Sequence, residues 1–100
     1  MRFVQHLYTI ITDNPLEKTI HLTDASHEVF KAHFPNNPIL AGFLQVDLIE
    51  TLFKLEIKKI KRLKFLHIIK PNVTLTFKKN NQTFTIFNEN ELKLSELIYE

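Results

Sequence analysis

Residues 33–47 read HFPNNPILAGFLQVD, and this stretch decides how the rest of the chain is interpreted. Two prolines and two adjacent asparagines predict an irregular loop over residues 33–41. From residue 42 to residue 55 the pattern changes, because leucines recur at helical spacing and other apolar residues fill much of the remaining circumference. A helix that is apolar nearly all round is normally buried, so we predict a buried central helix over residues 42–55.

The segments on both sides of this helix are predicted to form strands. Their β-branched and aromatic content, partial alternation and bounding turns favour strands at residues 3–12, 18–22, 57–69, 73–77, 82–87 and 92–99. For residues 92–99 a short helix is the less favoured alternative. Residues 24–31 are expected to form a helical turn. The order of two strands, one helix and four strands predicts an α+β fold, with a curved antiparallel sheet wrapped around the helix.

Length and composition restrict the class of protein. The chain has 100 residues, which predicts a single domain spanning 1–100. A chain this short buries a smaller fraction of its surface than a larger domain does, so association with a second copy is expected. No cysteine is present, which excludes disulfides, thiolate nucleophiles and cysteine-bound metals. The net charge of +2 is too small to imply nucleic-acid binding by itself.

The start of the chain and its hydropathy predict where the protein works. The first residues lack the apolar run of a signal peptide, and no apolar stretch is long enough to span a bilayer. A cytoplasmic protein is therefore expected.

Gly42 is the only glycine, and it lies where the predicted loop meets the predicted helix. The first N–H groups of a helix have no intrahelical partner, and a residue without a side chain lets a ligand oxygen approach them. Such an arrangement can form an oxyanion hole. The alternative is that Gly42 only eases the entry of the chain into the helix, and the sequence leaves both interpretations open.

Asp47 and His33 are the two candidate acid–base residues. Asp47 stands between Val46 and Leu48 on the most apolar helix, where a carboxylate is costly unless it is paired. It is therefore either a structural partner of a basic group or a functional carboxylate. His33 begins the proline-rich loop and titrates in the range that suits a general base.

The remaining polar candidates are less informative. Gln45 and Glu50 are expected to face solvent or a subunit interface. Packing or surface positions are expected for the other four histidines, His6, His21, His27 and His67. Because no histidine pair has a convincing metal-ligand spacing with acidic partners, we expect no metal and no other cofactor.

The stretch His33-Phe34-Pro35, then Pro38-Ile39-Leu40 and Gly42, with an acidic residue at 47, resembles the hotdog-fold dehydratases that act on 3-hydroxyacyl thioesters of acyl carrier protein. These include the FabA and FabZ types and a smaller group from aryl-polyene pathways. The sequence departs from the family pattern at Asn36, which replaces a glycine, and at Ala41, which replaces a proline and is expected to loosen the helix entry.

The resemblance implies a hydro-lyase that forms a trans-2-enoyl thioester in fatty-acid or related lipid and polyene synthesis. It implies that His33 removes the proton alpha to the thioester, that Asp47 assists departure of the 3-hydroxyl group, and that the Gly42 N–H polarises the carbonyl. It further implies that the catalytic pair meets across a homodimer interface. The expected acyl tunnel is lined by Phe34, Pro38, Ile39, Leu40, Phe43 and Val46, although core packing explains Phe34 and Leu40 equally well.

Five basic residues follow the helix, namely Lys58, Lys59, Lys61, Arg62 and Lys64. They are candidates for a surface that attracts an acidic acyl carrier protein. The equally weighted alternative is a solvated strand whose charges discourage edge-to-edge pairing. A nucleic-acid module is discounted, because only Phe65 and His67 lie nearby as stacking groups. A hotdog acyl thioesterase and a non-catalytic acyl-binding relative remain the competing functions.

Overall fold

The computed structural model describes residues 6–32 and 36–100. Its elements in chain order are β1 (Tyr8–Asn14), β2 (Glu17–Leu22), α1 (Glu28–Ala32), α2 (Gly42–Phe53), β3 (Ile60–Phe65), β4 (Thr74–Asn80), β5 (Thr83–Phe87) and β6 (Lys93–Tyr99). The predicted order of two strands, a central helix and four strands is confirmed. The helical turn expected before the loop is the short helix α1.

All six strands form one antiparallel sheet in the order β1-β2-β4-β5-β6-β3. The chain leaves β2, passes through α2 and re-enters the sheet at the far edge, next to β6. The core lies between α2 and one face of the sheet, where buried side chains include Ile20, Leu75, Phe77, Phe84 and Leu97. This α+β arrangement is the predicted curved sheet around one helix.

The sheet covers only one side of α2. Its buried residues are Leu44, Gln45, Leu48, Ile49 and Leu52, at the spacing of one helical face. On another side Phe43 is 47% exposed and Thr51 is also exposed. The prediction of a helix buried all round is therefore wrong for a single chain, because six strands form one layer and not an enclosing barrel.

α2 ends two residues earlier than the sequence predicted. Lys54 adopts a left-handed conformation with φ 54°, and its N–H donates to the Glu50 carbonyl. Left-handed residues also occur at His6, Asn72, Asn81 and Glu91, and each of these is a residue other than glycine. The chain therefore turns without glycine at all of these described positions.

β3 is an edge strand, and all six of its residues are exposed. Leu63 and Phe65 lie opposite Leu97 and Ser95 of β6 and share their inward face, as the alternation predicted. The strand stops at Phe65, whereas the predicted segment continued to residue 69. After Phe65 the backbone N–H groups of Leu66 and His67 both donate to the Leu94 carbonyl, at 2.8 and 3.2 Å, so the regular ladder ends.

Candidate active site

The start of α2 is held in place by the backbone. The Leu40 N–H donates to the Ile69 carbonyl at 2.7 Å, which fixes the loop before the helix. Ala41 is the N-cap, with φ −62° and ψ 151°, and no side chain caps the helix. Because proline fixes φ near this same value, Ala41 keeps the geometry that the family's proline would impose. The expected loosening concerns how freely this segment moves, and it stays a prediction.

The helix start presents an available donor at Gly42. The N–H groups of Leu44 and Gln45 donate to the Ala41 carbonyl at 3.0 and 3.3 Å. The Gly42 N–H donates to no acceptor among the described residues, and the first turn contains no acidic side chain. The positive end of the helix dipole is thus available to an oxygen of a ligand.

A cleft of about 330 Å³ opens at this helix start. One wall is formed by the loop and first helical turn, and the other by the segment that follows β3. The residues that line it are Ile39, Leu40, Ala41, Gly42, Gln45, Phe65, Leu66, His67 and Ile68. Most of these side chains are apolar, so the cleft suits an acyl chain whose polar end lies at Gly42.

The ring of Phe65 lies against Gly42, where a side chain at position 42 would stand. A Cβ atom on residue 42 would lie 2.5 Å from Cζ and 2.7 Å from Cε2 of Phe65, well inside contact distance. Gly42 does not have a positive φ, so backbone conformation alone does not require glycine here. The close contact comes instead from the half-exposed ring of Phe65, which would have to move to make room for a Cβ atom and which neither sequence interpretation included.

Gln45 is buried, contrary to the expectation that it faces solvent or an interface. It is 5% exposed, and its Oε1 accepts a 2.6 Å hydrogen bond from Oγ of Ser95, which is 2% exposed. The sequence could not reveal this partner, because Ser95 lies on β6 at the other end of the chain. Glu50 is half-buried, and its Oε2 accepts a 2.7 Å hydrogen bond from the Ile57 N–H. Glu50 therefore holds the segment after α2 in place.

Asp47 lies on a different side of α2 from the cleft. It lies five positions after Gly42, which corresponds to a rotation of about 140° around the helix. Asp47 is half-buried, its Oδ2 is shielded from solvent, and it does not line the cleft at Gly42. Within one chain, the structure does not bring Asp47 into that cleft. His33 and Phe34 lie outside the described residues, so their roles stay predictions.

The other predicted tunnel residues divide into two groups. Ile39 and Leu40 line the cleft, although Leu40 is only 3% exposed and also packs in the core. Val46 lines a smaller cavity beside β5 and β6, Phe43 is exposed, and Pro38 is half-buried. Of these described residues, only Ile39 and Leu40 meet the expected placement at the cleft.

His21 and His67, both predicted to be packing or surface residues, lie in different environments. His21 bonds through Nδ1 to Thr74 Oγ1 and through Nε2 to Asn72 Oδ1, both at 2.9 Å, which is the predicted packing role. His67 lines the cleft, which the prediction of a packing or surface position did not include. Its proximity to Gly42 depends on the turn after β3, which alternation alone does not predict.

The five basic residues form an exposed strip, which we call the basic strip: Lys58, Lys59, Lys61, Arg62 and Lys64. Lys59 Nζ lies 3.6 Å from Glu100 Oε1 in an exposed pair, which contributes little stability. Glu96 lies opposite Lys64 on β6. A hydrogen bond from Lys93, and then the charges of Lys93, Lys64 and Arg62, hold the pKa of the Glu96 carboxyl below its ordinary value.

Two further features can be stated for the residues that the structure describes. No group of three or more acidic or histidine side chains among them is arranged to hold a metal ion. None of their helices combines the length and apolar character needed to cross a bilayer.

Comparison with known proteins gives one family match. The model of a family described as ApeI-like, ApeI dehydratase, matches residues 12–96. The chain matches no curated protein sequence.

Several solved structures share the fold. One is the dehydratase heterocomplex ApeI:P from Xenorhabdus doucetiae, with 23% identity, a TM-score of 0.66 and 92% coverage of both chains. The PaaI protein of the E. coli phenylacetic acid degradation operon has 16% identity and a TM-score of 0.60, covering 95% of this chain and 82% of that one. Thioesterase superfamily member 2 from Mus musculus has 13% identity and a TM-score of 0.56, covering 96% and 81%. At these identities the likeness shows a hotdog fold.

Proposed function

The chain belongs to the ApeI-like dehydratase family, and on this premise we propose that it is a hydro-lyase that removes water from a 3-hydroxyacyl thioester of acyl carrier protein. The product would be the trans-2-enoyl thioester, used in fatty-acid or related lipid and polyene synthesis. The observation that carries the proposal is the uncapped start of α2 at Gly42, which opens into a largely apolar cleft.

The proposed chemistry follows from what this helix start can stabilise. Removal of a proton from C2 places negative charge on the thioester oxygen, and the Gly42 N–H would donate to that oxygen. His33 would accept the C2 proton as general base. The C2–C3 double bond forms as the C3–O bond breaks, and Asp47 would donate the proton with which the hydroxyl group leaves as water.

We further propose that two chains complete each site. The Asp47 side chain projects from a different side of α2 than the side that faces the cleft. Under this proposal, the cleft of one chain would therefore contain the Asp47 carboxyl group of a second chain. The surface for that second chain would be the exposed edge of β3. Exposed apolar side chains cluster there and just beyond it, at Ile60, Leu63, Phe65, Leu66 and Ile68. An open edge with such side chains favours pairing with another strand.

The basic strip lies on the same edge, so it has two consequences under this proposal. Antiparallel pairing of two β3 strands would bring Arg62 and Lys64 of both chains close together, which opposes association. It would also join two basic strips into one continuous positive surface. Such a surface suits an acidic acyl carrier protein, whose arrival would offset the repulsion.

A dimer paired through β3 should therefore become tighter as salt is added. We expect sedimentation velocity to give a dissociation constant about two- to thirty-fold lower at 500 mM than at 50 mM salt, because two like-charge pairs would face each other by symmetry and each costs about 0.2–1 kcal/mol. Arg62→Glu should tighten the dimer at low salt. Lys70→Glu, an exposed charge reversal outside β3, should leave it unchanged. A monomer at every salt concentration would contradict the proposal that two chains pair through β3 and complete each site.

The reaction itself is tested by incubating the protein with a panel of 3-hydroxyacyl thioesters of acyl carrier protein and following each by intact mass spectrometry. We expect loss of one water from a subset of chain lengths, with no such loss for His33→Ala. Release of the free acid would instead identify a thioesterase, which the same fold accommodates in its relatives. An unchanged panel would leave a non-catalytic acyl-binding protein.

A further inference from the structure

We propose that Gln45 is a second hydrogen-bond donor to the acyl thioester, through its side-chain Nε2 beside the Gly42 N–H. The proposal rests on the acyl-thioester function proposed above and assigns a further residue to the same site. Gln45 and Gly42 are three positions apart, so they are neighbours on the surface of α2. Both line the cleft of about 330 Å³ at the helix start.

The orientation of the Gln45 amide follows from its partner on β6. Ser95 Oγ donates to Gln45 Oε1 at 2.6 Å, and Ser95 lines the smaller cavity rather than the cleft. A glutamine amide has one acceptor oxygen and one NH2 group with two donors. Gln45 lines both the smaller cavity and the cleft, and because Ser95 holds the oxygen on the side of the smaller cavity, we infer that the NH2 group faces the cleft.

The burial of Gln45 and the donors of its NH2 group fit a ligand-binding role. Gln45 is 5% exposed, and Nε2 has no acceptor among the described residues. Nε2 is not among the described buried side-chain atoms that lack a partner, so solvent still reaches it, and a ligand oxygen in the cleft would take the place of that solvent. Apart from His67, the side chains around it are apolar, so a polar ligand atom would be drawn to Gly42 and Gln45.

Two donors suit the reaction better than one. The thioester oxygen gains negative charge as the C2 proton leaves, and donors fixed in advance stabilise that charge without reorganising. Gly42 supplies a backbone N–H, and the hydrogen bond from Ser95 would hold the Gln45 amide in place. Ser95 is then a positioning residue, and Gln45 contacts the substrate.

The test is binding of an unreactive probe, the butyryl pantetheine analogue in which an amide replaces the thioester. Gln45→Met keeps the size of the side chain and removes the donor. Gln45→Glu keeps the shape and can accept from Ser95, but its carboxylate has no hydrogen to donate until it is protonated. Calorimetry at pH 8 and pH 5 should show affinity about tenfold weaker in both variants at pH 8. Only Gln45→Glu should recover affinity toward pH 5, relative to the wild-type protein measured in parallel, because burial at this position raises the pKa of the introduced carboxyl group.

Three further readouts separate binding from a merely structural role. The Gln45 side-chain NH2 resonances of the wild-type protein should shift when the probe binds. Ser95→Ala should weaken binding by less than Gln45→Met does. On any substrate that is turned over, kcat should fall by about a hundredfold in Gln45→Met, and by more than KM rises.

The outcomes distinguish this proposal from the function on which it rests. If the wild-type protein binds the probe and both Gln45 variants bind it equally well, Gln45 only connects α2 to β6 through Ser95. The proposed role of Gln45 then fails, and the acyl-thioester function is unaffected. The same holds if Gln45→Glu shows no pH-dependent recovery. A wild-type protein that does not bind the probe would overturn both the proposal and the acyl-thioester function.

Discussion

Mixing His33→Ala protein with Asp47→Asn protein is expected to restore activity that neither variant has alone. Each substitution should lower turnover by about a hundred- to ten-thousand-fold, because each removes one proton-transfer group. In a mixed dimer with composite sites, one site carries both substitutions and the other carries neither. Since half of randomly formed dimers are mixed, the mixture should recover roughly a quarter of wild-type turnover.

The mixing experiment has a direct control and a clear contradictory result. Each variant mixed with itself should stay inactive, and circular dichroism should show that both are folded. An inactive mixture, despite mixed dimers detected by native mass spectrometry, would place His33 and Asp47 in a site within one chain. Full activity of Asp47→Asn alone would make Asp47 a structural residue.

Replacing Gly42 by alanine is expected to lower both stability and turnover. The added Cβ would lie 2.5 Å from Cζ of Phe65, so this half-exposed ring must move, at a cost of at most about 1–3 kcal/mol, the range for overpacking a core. Part of that cost is offset, because alanine is about 0.5–1 kcal/mol better than glycine within a helix. The displaced ring should disturb the cleft and reduce turnover by about a hundredfold. Urea denaturation and steady-state kinetics measure the two effects.

A double-mutant cycle with Phe65→Ala shows whether the ring is the cause. In the Phe65→Ala background the same Gly42→Ala change should become neutral or stabilising, because nothing is left for the Cβ to meet. Thr51→Ala, at an exposed position of the same helix, is the matched control and should change stability little. An equal loss of stability with and without the Phe65 ring would contradict the steric explanation.

The helix and the fold could be predicted because their signals are local. The leucine spacing after Gly42 fixed the start of α2 correctly, and the loop-to-helix motif pointed to the hotdog arrangement that the relatives share. The end of α2 was missed by two residues, because Lys54 turns the chain in a left-handed conformation that lysine seldom adopts.

The parts that could not be predicted depend on contacts between distant segments. Gln45 was expected to face outward, since its partner Ser95 is 50 residues away in sequence. The close contact at Gly42 comes from Phe65 on β3, which no local pattern shows. The alternation of apolar and polar residues extends the predicted third strand beyond Phe65. In the structure the backbone turns after Phe65, and His67 therefore lies at the cleft.

The left-handed residues described above affect how this sequence can change over evolution or by engineering. Lys54 and Glu91 hold φ values of 54° and 62°, where a residue with a Cβ is strained by about 1–2 kcal/mol and glycine is not. The absence of glycine at these turns also limits the freedom of the unfolded chain, which acts in the opposite direction. Neither residue lines the cleft, so the thermal tolerance of this protein can be tuned at its turns while the helix start at Gly42 is left unchanged.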